Sequence, residues 1–140
     1  WFQPKLRVTY RPRPSLGRLA TQYFHYGRWR RVVAREHAGT VNLRYLAPPV
    51  TLLAVAVGLA AGVAGLASGL GWLALGFLLP AGYLAGVLAV TAMAARRLAP
   101  AALARLPLAL VTMHMSWGLG FLSSPRSLAA GRAGGRPALT

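Results

Sequence analysis

The string Gln22-Tyr23-Phe24-His25-Tyr26-Gly27-Arg28-Trp29 gathers an amide, an imidazole, two phenols, a guanidinium and an indole into about two helical turns. A guanidinium can meet phosphate oxygens in a bidentate fork. An indole offers a broad apolar face for stacking. On a helix Gln22 lies one turn before His25, on roughly the same face. A plainer reading stands beside this one, because an arginine on a basic helix is an ordinary lipid-headgroup contact and Trp and Tyr are the aromatic types of any bilayer interface. His114 is a further candidate, the one titratable group inside an apolar run. A substrate or proton role there and a neutral imidazole bonded to a neighbouring helix are both open.

The rest of the composition excludes much chemistry. Glu36 is the only carboxylate side chain, so this chain alone cannot assemble a paired-carboxylate acid/base mechanism or an oxygen-ligated Mg²⁺ site. Without cysteine there is no disulfide frame, no thiol nucleophile and no Cys-based zinc site. His25, His37 and His114 stand at no familiar metal-ligand spacing, so we expect neither metal nor cofactor within these residues.

The elements that must position these groups are organised around a run, 45–95, without Lys, Arg, Asp, Glu or His. A bilayer core takes about 20 apolar residues per helix, so the run suffices for two spans and a tight connection. Pro48-Pro49 opens it, Ser68-Gly69-Leu70-Gly71 divides it, and Arg96-Arg97 closes it. The spans are expected at 50–67 and 70–95, with 106–123 as a third that either crosses or dips in and returns; three spans is the reading we favour. Gly58-x-x-x-Gly62 and Gly82-x-x-x-Gly86 should let backbones approach closely, and Pro80 should kink the second span. A soluble hairpin is disfavoured, since 56% hydrophobic and 12% charged residues cannot clothe two wholly apolar helices in water.

Around this core, residues 1–14 read as an extended strand remnant, with Leu6-Arg7-Val8-Thr9-Tyr10 alternating and Pro12 and Pro14 breaking it. Residues 15–37 read as an amphipathic interfacial helix capped by Ser15, 38–47 as a linker, 48–125 as the transmembrane region and 126–140 as a disordered tail. The expected fold class is therefore all-α membrane, with two to three transmembrane helices. Sixteen Lys and Arg against one acidic residue give a net charge of +15, and ten of the cations precede the hairpin. That flank is expected to be cytoplasmic and drawn to anionic headgroups. No nucleic-acid-binding motif accompanies the basicity, so nucleic acid is not an expected partner.

At the string 22–29 the chain resembles the C-terminal part of membrane-bound family 2 glycosyltransferases of the processive or exopolysaccharide type. In those a cytoplasmic GT-A domain is followed by an interfacial helix bearing Gln-x-x-Arg-Trp and then by membrane helices. Arg28-Trp29 stand at the Arg-Trp of that motif; His25 occupies the position of its Gln, and the nearest Gln is Gln22. Trp1-Phe2-Gln3-Pro4 with residues 6–14 is similar to the last strands leaving such a domain. Thr112-Met113-His114-Met115-Ser116-Trp117-Gly118-Leu119-Gly120-Phe121 resembles the closing hydrophobic segment, so the likeness covers nearly the whole chain. It implies that Arg28, Gln22 and His25 hold the diphosphate of a nucleotide-sugar donor and that Trp29 and Tyr26 stack on the acceptor. Sugar would pass, with inversion, to a lipid-linked or polysaccharide acceptor at the cytoplasmic face of a bacterial plasma membrane. The catalytic carboxylates and their Mg or Mn would lie upstream of Trp1, leaving this fragment inactive alone. The contrasting expectation is a non-enzymatic polybasic membrane protein that binds anionic lipid or scaffolds a partner.

Overall fold

The computed structural model describes residues 15–37, 39 and 42–128, and those residues are helical, with no strand among them. The expected strand remnant at 1–14 and the tail beyond Leu128 lie outside the described residues. Helix α1 spans Leu16–Glu36, α2 Leu43–Ser68, α3 Leu78–Ala94 and α4 Pro100–Leu122, with a 3-10 segment, Gly71–Phe77, leading into α3.

Ser15 starts α1: its backbone is extended and its hydroxyl accepts from the Arg18 amide at 3.3 Å. Asn42 does the same for α2, accepting from the Arg44 amide at 3.2 Å. That cap starts α2 at Leu43, five residues before Pro48, so the expected linker 38–47 is helical over its second half and the proline pair lies inside the helix. Proline's fixed φ suits the helix; its cost is the absent i→i−4 bonds to the Arg44 and Tyr45 carbonyls. Gly69, in the left-handed region at φ 72°, ends α2 and turns the chain back. The second span is not one α-helix as expected. It begins as the 3-10 segment and becomes α-helical at Leu78, which places Pro80 in the first turn of α3, where a missing N–H costs no helix bond. A change of helix type thus stands where a kink was expected.

Glycines set the hairpin's closest approach. A Cβ at Gly58 would stand 2.6 Å from the Gly76 carbonyl oxygen, one at Gly62 2.7 Å from the Phe77 ring, and one at Gly65 2.7 Å from the Ala74 amide. Gly58-x-x-x-Gly62 therefore packs as expected. Gly82-x-x-x-Gly86 does not, because a Cβ at either would meet nothing within 4 Å. These two lie beyond the tight stretch, on the wall of a cavity shared by α2, α3 and α4.

The α2 helix and the stretch Gly71–Ala94 are long and apolar enough to cross a membrane, and only 17% and 6% of their most apolar windows is buried. Core helices of a soluble protein would be covered; here Val57, Leu66, Leu75 and Leu88 are each at least 60% exposed. The architecture is an all-α membrane hairpin with a helical pair at one end. α4 belongs to that pair. Gly118 lies against the Pro48 carbonyl near the start of α2, and five residues separate the end of α3 from Pro100. The segment expected as a third span, 106–123, lies almost wholly within α4, which is not one of the two helices long and apolar enough to cross.

Candidate functional site

Helix α1 is fixed to α4 by backbone contact. Gly27 faces the Trp117 carbonyl and the Phe121 amide, and Gly120 faces the Phe24 carbonyl, so neither position has room for a Cβ. Val32, 3% exposed, and Phe121, 8% exposed, fill the contact. At its far end the Arg35 guanidinium donates to the Ser124 carbonyl at 2.9 Å and the Pro125 carbonyl at 3.3 Å, while the Ser124 hydroxyl donates to the Arg28 carbonyl at 3.0 Å. α4 thus covers the side of α1 that carries Gly27 and Val32, and the side that carries Arg18, Thr21 and His25 is left outward.

On that outward face the structure brings Gln22, His25 and Tyr26 together, with Arg18 and Thr21, around a recess of about 490 Å³. The Gln22 side-chain amide donates to the Tyr26 hydroxyl at 2.6 Å, which orders both. Arg18 precedes Gln22 by one turn and Thr21 precedes His25 by one turn; the helical repeat itself was the signal that pointed to them. Trp29, 36% exposed, follows Gln22 by two turns on the same side but does not line the recess.

Arg28 is placed elsewhere. Its Nε is buried without a hydrogen-bond partner and its guanidinium carbon lies 5.7 Å from the centre of the Phe24 ring. The edge of the fork that includes Nε is closed, which leaves the terminal nitrogens as its donors toward an anion. Trp117, tilted against Tyr23 at 6.2 Å and edge-on to Tyr26 at 6.5 Å, carries the second buried donor without a partner, its Nε1.

His114 forms a separate centre. Its Nδ1 lies 3.3 Å from the Tyr83 hydroxyl, linking α4 to α3. The pair closes one side of a cavity of about 540 Å³ between α2, α3 and α4, with Arg44, Gly82 and Gly86 also on its walls. Sequence alone named His114 but neither Tyr83 nor Arg44, because only the folded hairpin brings residues so far apart in the chain together. Among the described residues no three of His, Asp and Glu stand close enough to hold a metal ion.

What the fold and these centres define is an all-α membrane protein whose basic, aromatic helix is clamped to one end of an apolar hairpin. No family model, curated protein or solved structure matches the chain.

Proposed function

We propose that the chain is the membrane-anchoring, acceptor-facing segment of a family 2 glycosyltransferase, with the donor's diphosphate held on the outward face of α1. The observation that carries this reading is the recess joining Gln22, His25 and Tyr26 to Arg18 on a helix clamped beside a membrane hairpin. A diphosphate needs a cation and several neutral donors converging on one surface, and an arginine, an amide and an imidazole supply them. Trp29, beyond the recess on the same side, offers the stacking face for an acceptor sugar. In this reading the carboxylates and the metal belong to an upstream GT-A domain, the basic flank is cytoplasmic, and the membrane is a bacterial plasma membrane.

The test uses the protein encoded by the complete gene. Arg18→Ala should lower sugar transfer by about tenfold to a hundredfold, the worth of one or two charge-assisted hydrogen bonds, with membrane insertion intact. Arg28→Ala should do the same if its terminal nitrogens reach the diphosphate. Full activity in both variants would overturn the assignment of the site. The buried Nε of Arg28 favours a second reading, a non-enzymatic module whose arginines meet lipid headgroups. In that case Arg18→Lys and Arg28→Lys would be silent, since a headgroup reads charge where a diphosphate clamp reads the planar fork.

A further inference from the structure

The cavity between α2, α3 and α4 has the anatomy of a site for an amphiphile. One wall is hydrocarbon, from Val87, Val90 and Leu110, and the glycines of α3 widen it, since Gly82 and Gly86 leave open space where side chains would stand. Its volume of about 540 Å³ falls within the roughly 300–1,000 Å³ of small-molecule sites. Arg44 stands on its wall in the first turn of α2, and among the described residues its guanidinium has no anion, carbonyl or ring partner. The sole carboxylate side chain of the sequence, Glu36, lies on α1.

We propose that this cavity holds one phosphate-headed lipid taken from the surrounding leaflet, its head paired with Arg44 and the start of its hydrocarbon chain lying along Gly82, Gly86 and Leu110. Charge complementarity selects the occupant. A zwitterionic lipid brings its own cation to the phosphate, whereas an anionic one leaves the phosphate to Arg44. The position of the cavity agrees, because Arg44 lies in the first turn of a helix long and apolar enough to cross a membrane, where a headgroup would meet it, and the walls on α2 and α3 belong to helices whose outer faces are apolar. The Tyr83–His114 pair provides a polar contact on the same walls, suited to an ester or hydroxyl of the lipid. This inference does not rest on the glycosyl-transfer reading.

The experiment places the whole chain in nanodiscs of phosphatidylcholine doped with phosphatidic acid and counts retained lipids by native mass spectrometry. One phosphatidic acid should stay bound, and inorganic phosphate should not displace it. Arg44→Gln and Gly86→Leu should each lower its occupancy by about fivefold to tenfold, the first by removing the charge and the second by filling the space. Arg96→Gln, at the same end of the hairpin but off the cavity wall, should leave occupancy unchanged. Gly82→Leu repeats the filling at a second open position in case one variant misfolds, and far-ultraviolet circular dichroism checks that helicity is retained. Equal losses in Arg44→Gln and Arg96→Gln would reduce the effect to general attraction and overturn the site. So would full occupancy with Gly82 and Gly86 both filled, or displacement by inorganic phosphate.

Discussion

Gly27 and Gly17 sit ten residues apart on the same helix and have opposite relations to their surroundings. A Cβ at Gly27 would run into the Trp117 carbonyl, whereas one at Gly17 meets nothing within 4 Å. Gly27→Ala should therefore destabilise the α1–α4 pair by about 1–3 kcal/mol through overpacking. Gly17→Ala, in the first turn of α1, should stabilise the helix by up to about 0.5 kcal/mol, less than the full helix-interior difference between the two residues. Thermal melts of the purified chain in detergent, followed by circular dichroism, check both signs. Arg35 is the other residue whose substitution is informative. Its two nitrogens hold the Ser124 and Pro125 carbonyls just beyond the end of α4. Arg35→Ala should free that end, at a cost of roughly 1.5–3 kcal/mol for the charged hydrogen bonds together, and faster amide exchange at residues 119–123 reports it.

At the scale of elements, the caps and breaks were legible because they are local. Ser15 before an amphipathic run starts α1 where expected, and Gly69 ends α2 where the charge-free run divides. Asn42 was not read as a cap, and Pro48-Pro49 drew the boundary of α2 several residues too late; a proline reads as a break when the cap ahead of it goes unnoticed. Asn42→Ala should shorten α2 from its start and cost about 1 kcal/mol, measured as lost protection of the 43–47 amides. Interhelical placement was beyond the sequence for a different reason. Helices α2 and α3 are apolar all round, so no periodicity marks which side meets a neighbour, and two Gly-x-x-x-Gly pairs that look alike part company, one packed and one open. The candidate site divided likewise. Gln22, His25 and Tyr26 come together because a helix dictates it, and the same repeat sets Arg28 beside Phe24, whereas the burial of the Arg28 Nε in the folded chain could not be read from α1 alone.

For the molecule as a whole, the described residues bury few apolar side chains, chiefly Val32, Val87 and Phe121. Such a surface is stable only where hydrocarbon surrounds it. The chain should stay with the membrane pellet after alkaline carbonate washing and precipitate when detergent is removed; a folded, freely soluble monomer would contradict the architecture. The placement of α4 has one more consequence. Trp117 packs among the tyrosines of α1, and His114, a single turn earlier on the same rigid rod, borders the cavity on the other side. One rod thus touches the cavity with one turn and the tyrosines with the next, so a molecule that enters the cavity beside His114 should register in the fluorescence of the Trp117 indole.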